Sequence, residues 1–154
     1  MSFGAPWSTR LKATSAGALT AFAIAFVKMS RTPDAAIVDF LLPVLVALLV
    51  GSALTTVRGY EVTPDAIVVK RLLWTTRIPR AGLVGARPVV VPWHAWRLLG
   101  NGGLFSFSGW FKSAELGFFH GMFTNSSGVL LDYGNRRFVL SPDDPGRFTA
   151  ALAQ

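Results

Sequence analysis

Several residue types that carry enzyme chemistry are absent or scarce in this chain. There is no cysteine, which excludes disulfides, thiolate metal sites and cysteine nucleophiles. The two histidines, His94 and His120, have no His-x-x-x-His or Glu-x-x-His spacing around them, whereas a zinc site needs three or four ligands. No carboxylate pair or nucleophile–base pair can be assembled from spacing. We therefore expect no catalytic residues, no metal and no cofactor.

Charge is missing from two long apolar runs, Ala13–Val27 and Phe40–Val57. A helix that crosses the hydrocarbon core needs about 20 apolar residues, and basic side chains at its ends can reach the headgroups. The flanking cations are Arg10, Lys12, Lys28, Arg31 and Arg58. The pattern predicts a two-helix transmembrane hairpin within residues 1–58, with spans at about 11–29 and 38–57.

Two other interpretations of the first run remain open. Arg10 and Lys12 could form the basic start of a signal peptide, with Ala23-Ile24-Ala25 as a small-residue cleavage site. Lys28, however, follows that site closely. The run could also be a helix that lies in the membrane interface, although its polar face would carry almost no charge.

Acidic residues are few, since eight Asp and Glu stand against 15 Lys and Arg, for a net charge of +7. The connection Lys28–Asp39 holds two of these cations, while Arg58, Lys70, Arg71, Arg77 and Arg80 follow the second run. Lysine and arginine concentrate on the cytoplasmic side. We expect a multi-pass protein of the cytoplasmic membrane with both termini inside. Its basic excess would face anionic inner-leaflet lipids rather than nucleic acid.

Residues 59–154 show short β-branched and aromatic segments separated by turn signals. The predicted strands are Ala66–Leu72, Trp74–Pro79, Leu83–Val91, Gly117–Thr124, Val129–Tyr133 and Arg136–Leu140. Ser141, Pro142, Asp143 and Asp144 then predict the start of a helix. Its apolar side (Phe148, Ala151, Leu152) would cover one end of a small barrel.

Residues 92–114 form an aromatic and glycine-rich insert within this region. The segment holds Trp93, Trp96 and Trp110, interleaved with Arg97 and Lys112, a mixture found at membrane interfaces. Two interpretations stay open, because the tryptophans could instead fill the barrel core or its mouth. Gly100-Asn101-Gly102-Gly103 lacks the Lys-Ser/Thr of a phosphate loop and favours a bend.

An ordered set of these residues resembles the bacterial PH-like domains that follow a pair of N-terminal membrane helices. The set is Tyr60, the strand Ala66–Leu72, Ile78-Pro79, Trp96-Arg97 with Gly100, Gly109-Trp110-Phe111, Leu116-Gly117, and Arg137–Pro142 with Phe148 and Leu152. The resemblance implies an all-β PH-like split barrel, built of two bent antiparallel sheets, with a C-terminal capping α-helix. It carries over no enzymatic activity, and the headgroup pocket of eukaryotic PH domains is not transferred.

The expected function is that of a non-enzymatic, membrane-anchored interaction module. In its specific form it would be an accessory subunit of a larger bacterial membrane complex, such as a respiratory or photosynthetic assembly, which would also hold the otherwise free N-terminus in order. The alternative is a protein that binds a lipid or small ligand in the barrel mouth. The residues expected to contact membrane or partner are Arg10, Lys12, Lys28, Arg31, Arg58, Arg77, Arg80, Trp93, Trp96, Arg97, Trp110 and Lys112.

Overall fold

The computed structural model describes residues 1–31, 35–92 and 94–153, with side chains from all of these except 35–37. Two helices, a β domain and a short C-terminal helix follow one another, after a first strand at the N-terminus. The elements are β1 (Ser2–Gly4), α1 (Thr9–Met29), α2 (Ala35–Leu54), β2 (Val57–Val62), β3 (Ala66–Arg71), β4 (Thr75–Pro79), β5 (Gly85–Val90), β6 (Trp96–Leu104), β7 (Ser106–Ser113), β8 (Gly117–Phe123), β9 (Ser127–Asp132), β10 (Arg137–Leu140) and α3 (Pro145–Leu152).

The strands form two sheets, as the resemblance implies. One has the order β1-β2-β3-β4 and the other the order β5-β9-β10-β8-β7-β6. Neighbouring strands are antiparallel except for β8 and β10, which pair in parallel. That parallel pair departs from the expected antiparallel sheets. It arises because the β9–β10 hairpin folds back and inserts β10 between β8 and β9.

The N-terminus is held by the domain itself. Phe3 pairs with Tyr60 across β1 and β2, and the Met1 ammonium donates to the Val62 carbonyl at 2.7 Å. The Phe3 ring is buried and meets the Phe148 ring edge-on at 5.0 Å between centroids. Contacts with the β domain are enough to hold this end of the chain in order. The order of the N-terminus therefore gives no support to a role as an accessory subunit.

Two helices occupy the segment where the hairpin was expected, but their boundaries differ from the predicted ones. The Ser8 hydroxyl caps α1 by accepting from the Leu11 N–H at 3.2 Å. The second helix ends at Leu54 rather than near residue 57, because Val57 already belongs to β2 and is fully buried there. Of the described helices, α1 is long and apolar enough to cross a membrane, whereas the apolar stretch Val38–Leu54 is shorter.

Most of residues 92–114, the segment described above as an aromatic and glycine-rich insert, form the β6–β7 hairpin. Gly100, Gly109 and Gly121 lie side by side on β6, β7 and β8. Gly100 and Gly109 have φ values of 111° and 143°, and a Cβ on Gly109 would lie 2.1 Å from the Leu99 carbonyl oxygen. The glycine row lets the backbones approach and the sheet bend. Gly100-Asn101-Gly102-Gly103 thus lies within a bent strand.

The C-terminal helix covers one end of the sheets, as predicted, but it starts later. Asp144, not Ser141, is the N-cap, and its carboxylate accepts from the Arg147 N–H at 2.9 Å. Phe148, Ala151 and Leu152 are buried as expected and join the core between the sheets. A second apolar cluster, centred on Phe111, Phe119 and Phe123, lies under the β6–β7–β8 part of the larger sheet.

Candidate membrane-proximal surface and hairpin cavity

The start of α1 is bonded to the tip of the β6–β7 hairpin. Thr14 Oγ1 donates to the Gly103 carbonyl at 2.9 Å, and Ser15 Oγ accepts from the Phe105 N–H at 2.9 Å. Phe105 connects the two strands with a φ of 65°, and its ring lies 6.2 Å from that of Trp7. These bonds place the polar first turns of α1 against the domain and direct its apolar remainder away from it.

The end of α2 is bonded to the same hairpin through Arg71. Its Nη1 donates to the Thr55 carbonyl at 2.6 Å and to Ser108 Oγ at 2.8 Å. The Ser106 hydroxyl donates to the same Thr55 carbonyl at 3.1 Å. Burial lowers the pKa of the Arg71 guanidinium, while the nearby Tyr60 acts in the opposite direction; arginine nevertheless stays charged. Both helices therefore leave the β domain from one end.

An exposed apolar turn lies at that end. Leu72, Leu73 and Trp74 connect β3 to β4, and the turn is closed by the Arg71 N–H bonding to the Trp74 carbonyl at 2.9 Å. Arg71 pairs with Val57, three residues after α2 ends. Leu73 is 73% exposed. Sequence reasoning placed Trp74 in a strand and did not single out this turn; its run of three adjacent apolar residues after Lys70-Arg71 was the available signal.

The expected basic residues are distributed over both ends of the helices. Arg10, Lys12 and Arg58 are exposed on the domain side, in the first turn of α1 and at the start of β2. Lys28 and Arg31 lie at the opposite end of α1, which at 1.5 Å per residue is about 30 Å away.

Two further cations lie away from the helix attachments. Arg77 is exposed in the middle of β4. Arg80 follows β4 at the far end of the small sheet, where it donates to the Thr63 carbonyl at 3.2 Å and to the Leu152 carbonyl at 2.8 Å. Arg80 thus fixes the end of α3, a structural contact that its sequence context did not indicate.

The outer face of β6, β7 and β8 carries four exposed residues and the half-buried His120, which together we call the aromatic strip (Trp96, Trp110, Lys112, Phe118 and His120). The Trp110 ring stacks on His120 at 5.0 Å, and Lys112 Nζ lies 4.8 Å from the Phe118 ring centroid. Trp96 is 77% exposed and Trp110 44%. These two tryptophans therefore do not fill the core. Trp93 lies outside the described residues.

The aromatic strip runs away from the helix attachments. Phe107 pairs with Phe123, whose neighbour Thr124 accepts from the Ser8 N–H, and Lys112 pairs with Phe118 five residues further along. Five residues of strand span at most roughly 17 Å, less where the sheet bends. Burial, and secondly the Arg71 charge, lowers the pKa of His120, which keeps the stacked imidazole neutral at neutral pH.

A cavity of about 590 Å³ opens on the inner face of the hairpin; we call it the hairpin cavity. It is lined by seven apolar residues, two arginines, two serines and a glycine: Val90, Val91, Pro92, Ala95, Phe107, Phe111, Phe123, Arg10, Arg97, Ser8, Ser126 and Gly102. Its size is within the range of small-molecule sites. The Phe107 ring stacks on Phe123 at 5.0 Å and Phe111 lies 5.5 Å from Phe123, which gives the cavity an aromatic wall.

Arg10 and Arg97, predicted separately as interface residues, both line this cavity. Arg97 Nη1 donates to the Gly100 carbonyl at 3.3 Å. Its side chain lies against Gly102, where an added Cβ would come within 2.5 Å of Nη1. In the part of the chain that the structure describes, the ion pairs are Lys70–Glu61 and Arg137–Asp132, so neither arginine has a carboxylate partner there.

No cluster of three or more His, Asp or Glu side chains able to hold a metal ion occurs among residues 1–31, 35–92 and 94–153. His120 stacks on Trp110, and its ring also contacts Phe138 at a tilted angle.

Comparison with known proteins gave one family. The model of the family described as Bacterial PH domain matches residues 58–154. No curated protein and no solved structure gave a significant match. The match confirms the PH-like resemblance for the β domain, does not extend to the two helices, and covers well over half of the 154 residues. PH domains are in general non-catalytic modules that bind lipids or proteins. The chain belongs to the bacterial PH domain family.

Proposed function

We propose that this protein is a PH-domain binding module anchored in the cytoplasmic membrane by both helices, with the β domain and both termini in the cytoplasm. The observation that carries the proposal is that α1 and α2 leave the domain from one end, where the apolar turn Leu72–Trp74 is also exposed. A bilayer at this end would cover all three apolar surfaces at once.

The exposure of the helices supports a lipid environment. Only 11% of an 18-residue apolar stretch of α1 is buried inside the protein, whereas a core helix of a soluble protein would be largely buried. On α2, Phe40 and Leu48 are 71% and 62% exposed. Apolar side chains exposed in this number along two helices need a cover. The 20 residues of α2 are about 30 Å long, close to the thickness of the hydrocarbon core.

The distribution of positive charge supports the orientation. Among the described residues, Arg10, Lys12 and Arg58 lie at the domain end of the helices, whereas Lys28 and Arg31 stand at the other end. The larger number of cations within reach of the membrane is therefore on the domain side, which is the cytoplasmic side by the positive-inside rule.

The aromatic strip supports a protein partner. Exposed tryptophans are enriched at interfaces because a large rigid ring loses little conformational entropy on binding. Trp96, Lys112 and Phe118 lie at the end of the strip away from the helices, where a second protein would reach them more easily than lipid. A role as an accessory subunit of a membrane complex is the form of the proposal that this surface favours.

The absence of cysteine allows a direct test of the topology. Ser30, at the end of α1, and Asn135, in the β9–β10 turn, are both exposed, and each can be replaced by a single cysteine. In intact spheroplasts of an expression host, a membrane-impermeant maleimide is expected to label S30C but not N135C. Inside-out vesicles should reverse the result. Labelling of both positions from the same side would contradict two spanning helices.

Affinity purification from native membranes in mild detergent, followed by mass spectrometry, tests the partner. Recovery of other membrane proteins in constant ratio, lost in a Trp96→Ser variant and kept in a variant of the exposed Arg136 (Arg136→Gln) as control, is the expected result. Recovery of the chain alone as a monomer would contradict the subunit role.

A further inference from the structure

Two parts of the chain line the hairpin cavity, one inside and one outside the residues that the family model matches. Arg97, Gly102 and the three phenylalanines belong to the β domain, while Ser8 and Arg10 belong to the start of α1, outside residues 58–154. The docked anchor helix therefore completes the cavity, most of which the β domain lines. It lies where α1 begins, so that under the proposed function it would open at headgroup level.

The chemistry of the lining combines one cationic rim with one apolar wall. Two guanidiniums without a carboxylate partner among the described residues stand at the rim, and the N-terminus of α1 adds a partial positive charge beside them. The remaining wall consists of Phe107, Phe111 and Phe123 with four aliphatic or small residues. An occupant that satisfies both regions has a compact anionic group joined to a hydrocarbon chain.

One hydrogen bond orients the exposed Arg97 side chain before any ligand arrives. Its guanidinium bonds to the Gly100 carbonyl, and its stem and head lie against Gly102, where any larger residue would displace them. Guanidinium groups suit phosphate because two N–H groups can bond to two oxygens together. A fixed guanidinium loses less conformational entropy on binding than a free one.

We propose that the hairpin cavity binds one anionic phospholipid of the surrounding bilayer, with its phosphate between Arg10 and Arg97 and part of one acyl chain against the three phenylalanines. The proposal rests on the proposed function for the source of the ligand. Its consequence is that a single lipid would connect the anchor helix to the PH domain.

Native mass spectrometry of the full chain released from detergent tests this site. Phosphatidylglycerol and phosphatidylcholine with the same acyl chains are the probes, and glycerol 3-phosphate tests the headgroup alone. We expect one phosphatidylglycerol molecule to be retained with roughly tenfold preference over phosphatidylcholine, corresponding to one charge-assisted contact. Equal retention of the two lipids, or competition by glycerol 3-phosphate alone, would overturn the proposal.

Three variants and a control locate the binding. Arg10→Gln and Arg97→Gln should each reduce retention of phosphatidylglycerol roughly tenfold, and Gly102→Ala should reduce it without removing a charge. Arg136→Gln removes an exposed cation in the β9–β10 turn and should leave retention unchanged. Equal effects of Arg97→Gln and Arg136→Gln would show attraction by net charge only and would refute the site. Cysteine labelling of the topology does not depend on the cavity, so that failure of the anchor and failure of the lipid site are distinguishable.

Discussion

The Tyr60 hydroxyl lies 3.1 Å from the Ser141 backbone N–H, whose hydrogen bond it accepts, and it donates to the Met122 carbonyl at 2.7 Å. The Ser141 hydroxyl in turn accepts from the Thr124 N–H at 2.8 Å. Tyr60 and Ser141 are both fully buried. This pair thus joins β2 of the small sheet to the ends of β8 and β10 in the large one, close to where Thr124 also binds Pro6 and Ser8.

Tyr60→Phe should lower the free energy of unfolding by about 1–3 kcal/mol, because the Ser141 N–H and the Met122 carbonyl lose a partner where water cannot replace it. Chemical unfolding of the full chain in detergent measures the change. Tyr133→Phe is the matched control, since its hydroxyl bonds to the Pro79 carbonyl at an exposed site and its removal should cost less. Equal losses in both variants would contradict the role given to Tyr60.

Stability should fall as the pH rises from about 10 towards 12. Burial raises the pKa of Tyr60 from 10.0 to about 12, against the opposing effect of its hydrogen bonds to Ser141. Because the folded pKa exceeds the unfolded one, this contribution is complete below pH 10 and is lost as the pH passes through the folded pKa. Two pH units correspond to about 3 kcal/mol. The difference between wild type and Tyr60→Phe in unfolding free energy should shrink over this range; a constant difference would be inconsistent with a buried neutral phenol.

Arg71→Met should loosen the attachment of α2. The substitution leaves the Thr55 carbonyl and the Ser108 hydroxyl without their charged donor, a loss of about 1.5–3 kcal/mol. Hydrogen–deuterium exchange should accelerate around residues 54–57 while exchange in β9 changes little. Arg77→Met removes an exposed arginine and serves as the control. Faster exchange throughout the domain in Arg71→Met would indicate general unfolding instead.

The turn Leu72–Trp74 should enter lipid, whereas Leu98, which lies on β6 two residues from Trp96 of the aromatic strip, should not. Nitroxide labels on Leu73→Cys and Leu98→Cys, both exposed positions, report collisions with oxygen, which is concentrated in lipid, and with a water-soluble nickel complex. In liposomes the label at 73 should favour oxygen and the label at 98 nickel. The opposite ranking would place the strip, rather than the turn, on the bilayer.

Gly109→Ala should disrupt the β6–β7 hairpin. The residue has φ of 143° and no room for a Cβ beside the Leu99 carbonyl, so that both the backbone and the neighbouring strand must shift. Gly134→Ala is the control, because Gly134 also has a positive φ, 77°, but nothing lies within 4 Å of an added Cβ. We expect about 1 kcal/mol for Gly134→Ala from backbone strain alone and a clearly larger loss for Gly109→Ala. Similar losses would mean that close packing of the glycine row is unimportant.

The two N-cap candidates show where local signals stop being sufficient. Ser141 and Asp144 are both good caps, and a proline follows each of them. The helix begins after Asp144 because the Ser141 hydroxyl and amide are used by Thr124 and Tyr60, residues 17 and 81 positions away. In the same way, the strands β6 and β7 escaped prediction because glycines with positive φ and two register shifts interrupt the alternation of side chains.

The composition of the chain and the spacing of its apolar residues were enough to predict two apolar helices, a β domain and a closing amphipathic helix. These features can be predicted because apolar runs and the alternation of side chains are local properties of the sequence. Only the tertiary structure decided that Arg10 and Arg97 line the same cavity, that Leu72–Trp74 lies where α2 ends, and that β1 completes the small sheet. These relationships depend on strand register and helix docking between distant segments, which the summed packing and hydrogen bonding of the whole domain select.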